Sequence, residues 1–273
     1  MPEEINRILT DHLSDLLFVT EESGIENLRK EGIANEKINF AGNTMIDSLR
    51  TCEERASASE ILKTLGLQER TNGNGSAHSI DPYVLLTLHR PANVDNPEAF
   101  LNILLGLQEL TAKYPVIFPV HPRTRKRIQE FGFAESCGIR STGPGERGLA
   151  PKGLTLTDPL GYLEFLCLMK HAALVVTDSG GIQEETTCLG VACVTVRENT
   201  ERPITLTRGT NVLAGVCKEG IQHAIRQQWG RQFDKEAPPM WDGKASRRIV
   251  DTVIRAVDSK RSESHPVQVD VRR

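Results

Sequence analysis

Five short apolar runs, at 83–88, 116–120, 153–157, 174–177 and 193–196, are separated by segments long enough for a helix. That alternation admits few folds. Strands joined by helices run parallel, and a parallel sheet is covered by helices on both faces, so the spacing predicts an α/β domain with a doubly wound, Rossmann-like sheet. In such a sheet ligands bind along the edge formed by the carboxyl ends of the strands. His89, His121, Asp158 and Asp178 each fall just past one of these runs, which predicts a lined polar crevice there.

The stretch 174–185 is the most informative of the five. Its apolar run ends in Asp178-Ser179, turns through Gly180-Gly181 and continues with a helical pattern from Ile182 to Leu189. Strand, glycine turn and helix start in that order suit a phosphate, because the free N–H groups and the positive end of the helix dipole point at the turn. Ser179 adds a hydroxyl, and Glu184 or Glu185, one turn on, offers a carboxylate for the two hydroxyls of a ribose. A nucleoside diphosphate is the ligand this order suggests. The alternative is a tight turn with Ser179 as N-cap and no ligand at all. Neither the phosphate-loop pattern with Gly-Lys-Ser/Thr nor the G-x-G-x-x-G fingerprint is present.

Upstream, residues 2–13 carry Ile5, Leu9 and Leu13 on one helical face, strands are predicted at 16–19 and 38–42, and a helix at 44–65. These elements look like the last third of an α/β domain. Residues 69–81 read as a polar, glycine-rich insertion, 246–257 as an amphipathic closing helix, and the residues beyond as a tail. The expected domains are therefore 1–66, the end of a first Rossmann-like domain with its connector; 67–261, a second such domain with the closing helix; and the tail 262–273. After the fifth run, the loop 197–203 brings Glu201 and Arg202 to the same edge. There Arg202 could neutralise a phosphate and Glu201 orient a sugar hydroxyl, unless the loop is simply solvated.

Composition removes several classes. A net charge of −3 and 5% aromatic residues give no case for nucleic acid. No apolar run is long enough to span a bilayer, and no signal peptide is evident. The six cysteines show no C-x-x-C pair, which fits free thiols in a reducing cytoplasm, with no metal and no cofactor expected.

The motifs Pro2 to Arg7, Gly42 to Asp47, His89-Arg90-Pro91, Tyr162 to Leu166, Thr177 to Glu185 and Arg197 to Pro203 resemble, in this order, the non-hydrolysing UDP-N-acetylglucosamine 2-epimerase family. The resemblance covers nearly all the chain except 69–81 and the tail. It implies a glycosyltransferase-B-like fold, with the active site in the cleft between two Rossmann-like domains. It also implies a reaction on UDP-N-acetylglucosamine: loss of the C2 proton, anti elimination of UDP to 2-acetamidoglucal, and re-addition to give UDP-N-acetylmannosamine. By the same resemblance Ser179, Gly180 and Gly181 hold the phosphates, Glu185 the ribose, and the backbone near Phe165 the uracil. Arg202 neutralises departing UDP, His89 acts beside the diphosphate, and Glu3 and Arg7 come from the N-terminal side, Glu3 as a catalytic carboxylate. Glu4, Arg90 and His121 match positions where some bacterial members hold an activating second substrate molecule. A homodimer is expected.

Two departures from the family pattern, Ala92 and Ala192, are tolerable. A third concerns the start: the family has a further N-terminal region containing an Asp and a Glu for C2 proton transfer, whereas Met1 here directly precedes the Pro-Glu-Glu motif. The expectation is a truncated chain that keeps the UDP-binding half. The other readings are a nucleotide-sugar-binding remnant without catalysis, a hydrolysing epimerase and a glycosyltransferase relative.

Overall fold

Residues 2–67, 80–141, 152–233 and 237–264 are described by a computed structural model. Most of the 69–81 insertion and the tail from 265 lie outside the described residues. The chain divides into two compact units, residues 1–48 with 239–273, and residues 49–238.

In the first unit, β1 (Leu17–Val19) and β2 (Ile38–Phe40) pair in parallel, with Leu17 opposite Ile38. The Glu22–Lys30 helix connects them, and its Leu28 closes a small core with Leu17, Val19 and Ile33. The preceding helix, Pro2–Leu13, buries none of its residues, and Ile5, Leu9 and Leu13 remain 61%, 56% and 84% exposed.

The C-terminal segment belongs to this unit, for reasons of hydrogen bonding. The Asp47 carboxylate accepts from the Ala245 and Ser246 N–H groups at 3.0 and 2.6 Å, so it caps the Ala245–Ser264 helix from a distant part of the chain. The Trp241 indole, almost fully buried, donates to the Thr20 carbonyl at 2.8 Å. Arg248 donates to the Ala41 and Met240 carbonyls. Backbone also meets backbone so closely at Gly42 that a Cβ there would fall 2.0 Å from the Met240 carbonyl oxygen. The sequence assigned the closing helix to the second domain and drew the boundary at 66. The contacts instead group that helix with the first unit and put the boundary inside the Thr44–Ser57 helix.

In the second unit seven parallel strands form one sheet in the order β5-β6-β4-β3-β7-β8-β9: β3 (Val84–Thr87), β4 (Pro115–Pro119), β5 (Arg140–Ser141), β6 (Gly153–Thr157), β7 (Leu174–Thr177), β8 (Cys193–Thr195) and β9 (Asn211–Leu213). Alternate residues face opposite sides, and both sides are apolar. Val84, Leu86, Val116, Phe118, Leu174 and Val176 join one core with Phe100, Ile103 and Ile221. Leu85, Ile117 and Val175 join the other with Leu49, Leu166 and Met169. This is the pattern expected of strands covered by helices on both faces.

The five predicted strands are all present. β5 and β9 escaped notice because one is two residues long and the other opens on a polar Asn211. The predicted 44–65 helix is broken into Thr44–Ser57 and Ile61–Thr64, and the segment between β3 and β4 carries the separate helices Pro97–Gly106 and Gln108–Thr111. Among the described residues no helix is long and apolar enough to cross a membrane.

The helices Pro97–Gly106 and Lys218–Gln228 meet at Gly106, where a Cβ would lie 2.7 Å from Ile221 Cγ2 and 2.8 Å from Ile221 Cβ. Alanine at this position gains ~1 kcal/mol of helix propensity, yet overpacking a well-filled core costs ~1–3 kcal/mol. Gly106→Ala is therefore expected to destabilise the protein, by up to ~2 kcal/mol, in urea denaturation. A stabilised variant would show that the helices separate freely.

Candidate functional site

The sheet order reverses at β3: the chain runs outward through β4 and β6, then crosses back to lay β7 on the other side of β3. Loops leaving the carboxyl ends of β3 and β7 must diverge there, and the crevice between them is the topological switch point. Asp178 closes its floor. It is fully buried, and its carboxylate accepts from the His89 N–H at 3.1 and 3.2 Å, the Arg90 N–H at 2.9 Å and Asn93 Nδ2 at 3.1 Å. His89 Nδ1 lies 2.8 Å from Asp178 Oδ1, while the rest of that imidazole side chain is 58% exposed. Arg90 Nε donates to the Asp178 carbonyl at 3.0 Å. One buried residue thus ties the two loops together.

The charges in this cluster adjust to one another. Burial on its own would lift the Asp178 carboxyl, but the His89 imidazole and the Arg90 and His89 N–H groups outweigh it and hold the carboxyl below its ordinary value. The hydrogen bond to Asp178 raises the His89 imidazole above its ordinary value, against partial desolvation and the Arg90 charge. Beside them Arg197, 8% exposed, makes a forked pair with Glu201 at 2.7 Å to each oxygen. That pairing pulls the Glu201 carboxyl down to about 2. Arg90 Nη2 lies 3.6 Å from the same carboxylate.

The Gly180–Leu189 helix begins at Ser179, whose backbone is extended as at an N-cap, yet the side chain makes no capping hydrogen bond. The Ser179 N–H donates to Thr177 Oγ1 at 3.0 Å. A Cβ on Gly180 would meet nothing nearer than Arg202 Cγ, at 4.0 Å. Neither backbone strain nor internal packing therefore calls for glycine at 180. Space kept open beside a helix N-terminus is what an approaching anion needs.

The two glutamates of the motif separate clearly. Glu184, 2% exposed, is ion-paired with Arg202 Nε. Glu185, 3% exposed, accepts from the Tyr162 hydroxyl at 2.8 Å, and burial raises its carboxyl above the usual range. Below them a buried polar network carries the 200–205 loop. Gln183 Oε1 accepts from Thr200 Oγ1 at 2.6 Å and Asn211 Nδ2 at 3.1 Å, and Thr200 Oγ1 accepts from the Arg202 N–H at 3.0 Å.

Of the residues singled out from sequence, His89, Arg90 and Asp178 form one hydrogen-bonded cluster, while Ser179, Gly180 and Gly181 start the adjoining helix. Glu185 and Arg202 sit on that helix and on the loop over it. Phe165 is half-buried against the Leu166 core. His121 is exposed and caps its own helix, its Nδ1 accepting from the Arg123 N–H at 3.3 Å, and Asp158 pairs with Arg125. Glu3, Glu4 and Arg7 belong to the first unit. Glu3 is exposed, and Arg7 is held by Glu4, Asp11 and Glu31 at 2.7, 2.7 and 2.6 Å. Sequence reasoning did not single out Asn93, Arg197 or the Tyr162 hydroxyl. Asn93, four residues past His89 beside an apolar Val94, was the most visible of the three.

Comparisons with known proteins agree with this geometry. The sequence profile of the UDP-N-acetylglucosamine 2-epimerase family matches residues 1–254. The UDP-N-acetylglucosamine 2-epimerase of Methanocaldococcus jannaschii is 41% identical over 256 residues, which cover 92% of this chain and 63% of that protein. The enzyme of the same name from Methanococcus maripaludis is 38% identical over 262 residues, with 93% and 64% covered. The crystal structure of the M. jannaschii enzyme in complex with UDP-GlcNAc and UDP superimposes with a TM-score of 0.76 at 37% identity, covering 93% of this chain and 65% of that one. The Neisseria meningitidis enzyme bound to UDP-GlcNAc gives a TM-score of 0.73 at 30% identity, with 93% and 65% covered. The chain thus spans less than two thirds of the length of these relatives. The fold is glycosyltransferase-B-like α/β. A switch-point crevice, a helix that opens on two glycines without a side-chain cap, and a match running from the first residue to the closing helix all converge, and the chain belongs to the UDP-N-acetylglucosamine 2-epimerase family.

Proposed function

We propose that the 49–238 unit binds the diphosphate of a UDP-sugar at the start of the Gly180–Leu189 helix, and that the chain serves the C2 epimerisation of UDP-N-acetylglucosamine. The observation that carries this reading is the unused capacity at that helix start, with a Ser179 hydroxyl that does not cap and open space beside Gly180. The amides of Gly180 and Gly181 and the Ser179 hydroxyl donate to phosphate oxygens. Glu185 accepts from the ribose hydroxyls, and the backbone near Phe165 meets the uracil. Arg202, held in place by Glu184, keeps guanidinium donors for the departing diphosphate.

In the reaction a base takes the C2 proton, the C1–O bond to the diphosphate breaks, and UDP leaves with the electron pair as the C1–C2 double bond forms. Reversal with protonation on the opposite face of C2 and re-addition of UDP at C1 gives the epimer. In this reading His89 acts beside the diphosphate, and Glu3 is the catalytic carboxylate that the family resemblance assigns, with Arg7 on the same helix. A relative named UDP-2,3-diacetamido-2,3-dideoxy-D-glucuronate 2-epimerase, from Pseudomonas aeruginosa, is 35% identical over 254 residues. It supports a second reading, in which the reaction centre is the same and the sugar carries a carboxylate.

Incubation with UDP-N-acetylglucosamine in deuterated water tests the chemistry. Deuterium at C2 of the recovered UDP-sugar is the result that catalysis by this chain predicts. Calorimetric UDP binding without exchange would support a nucleotide-sugar-binding remnant and end the assignment of catalysis to this chain.

Two variants test the cradle. Ser179→Ala is expected to lose ~1–3 kcal/mol of UDP affinity by calorimetry. Gly180→Ala is expected to keep or raise the melting temperature, since its methyl meets open space, while weakening UDP by about tenfold or more, ~1.4 kcal/mol. Unchanged UDP affinity in both would remove the helix start from the site.

The pH dependence has a definite sign. An anion bound beside His89 favours its protonated form, so UDP binds most tightly below the His89 midpoint and more weakly as pH rises through it. That midpoint lies above the ordinary imidazole value because of Asp178. His89→Asn is expected to flatten the fall of UDP affinity with rising pH above the ordinary imidazole value. A profile unchanged in the variant would separate His89 from the ligand.

A further inference from the structure

We propose that Asp178 is a positioning residue for this reaction: from a buried site at the switch point it fixes the His89 ring in the tautomer that carries hydrogen on Nδ1, so that Nε2 is the nitrogen offered to the ligand. The proposal rests on the reading of the crevice as a diphosphate site, but its first observable does not depend on any ligand.

The geometry supports it in three ways. Asp178 Oδ1 lies 2.8 Å from His89 Nδ1, and a carboxylate accepts only, so the hydrogen between them belongs to the imidazole. The carboxylate cannot turn away, because its oxygens also accept from the His89 and Arg90 N–H groups and from Asn93 Nδ2. Asn93 is itself anchored, its Nδ2 also donating to the Val196 carbonyl at 3.2 Å beyond β8. Lastly, Asp178 is fully enclosed whereas the His89 side chain is 58% exposed. Nδ1 is thus committed to the buried carboxylate, which leaves Nε2 as the ring nitrogen not engaged by it.

A ring so held gives Nε2 as an acceptor when neutral and as a donor when protonated. It can therefore pass between those roles without rotating, and no step asks Asp178 itself to take a proton. The charged groups around the pair are few. Arg90 opposes protonation of His89, Arg197 faces Asp178, and Glu201 compensates both arginines.

The test is the nitrogen spectrum of His89 in the ligand-free chain labelled with 15N-histidine. His89→Asn identifies its signals among the seven histidines. The expected result for the parent is a neutral Nδ1–H form; a predominantly Nε2–H ring would overturn the proposal without any further variant. Asp178→Asn replaces an acceptor-only group by one that also donates. In the folded variant His89 is expected to shift toward the Nε2–H form, and its titration midpoint to fall toward the ordinary imidazole value. Asp178→Asn with a lowered melting temperature but the same His89 tautomer and midpoint would assign Asp178 to loop stability alone and overturn the proposal. If Asp178→Asn does not fold, the parent spectrum decides. UDP calorimetry on the parent reads the diphosphate site separately: a fixed Nδ1–H ring with no UDP binding would keep the positioning role of Asp178 and discard the ligand.

Discussion

A carboxylate sealed away from water is costly, by several kcal/mol when unpaired, so it persists only where donors are already arranged around it. Asp178 is such a carboxylate, and its donors come from one short segment: the N–H groups of His89 and Arg90, the His89 ring and the Asn93 amide. That segment follows β3, whereas Asp178 follows β7. The two strands are neighbours only because the chain, having built outward through β4 and β6, returns to the other side of β3. Asp178 thus converts a topological feature, two loops parting at a reversal of strand order, into a fixed spacing between the His89 ring and the start of the Gly180–Leu189 helix. Without that clamp, the crevice would be bounded by two independent loops, each free to drift by the ångström that matters to a site of this kind.

The rest of the second unit serves this spacing. Strands buried on both faces make a rigid platform, and residues of β3, β4 and β7 alternate between two separate cores. Beneath the far wall, Gln183, Asn211, Thr200 and Thr205 form a buried network that ties the Arg202 loop to the same helix. The site is therefore rigid on both sides, by charge at Asp178 and by neutral hydrogen bonds at Gln183. In the first unit a comparable role falls to Asp47 and Trp241, which fasten the closing helix; neither can be read from local spacing, because their partners lie about two hundred residues away.

Legibility in the sequence follows the range of the interaction. The five inner strands announce themselves through largely apolar runs whose only polar residues are threonines, since burial on both faces favours apolar side chains. The edge strand Arg140–Ser141 and the Asn211–Leu213 strand carry no such run and went unseen. The catalogue of polar residues at strand ends was accurate as to position, but it treated His89, His121, Asp158 and Asp178 alike. Tertiary structure separates them: His121 turns back to cap its own helix, Asp158 pairs with Arg125, and only His89 and Asp178 share a hydrogen bond. Choice of partner depends on side-chain direction across neighbouring strands, which spacing along one chain does not encode. The same holds for Glu184 and Glu185. The sequence offered them as equivalents, whereas one faces Arg202 and the other Tyr162.

What distinguishes a binding residue from a structural one here is whether the fold already uses it. Gly42 and Gly106 are glycines for internal reasons, since a Cβ at either would collide with the Met240 carbonyl or with Ile221. Gly180 has no such reason, as the nearest atom to its missing Cβ is 4.0 Å away. Ser179 stands where a serine ordinarily caps a helix, and its hydroxyl does not do so. A donor, a helix end and a gap left unspent in one place are the grounds on which the diphosphate site is proposed. A phosphate group answers all three, because it accepts from the hydroxyl and the free amides, is drawn by the helix dipole, and needs the space a side chain would fill.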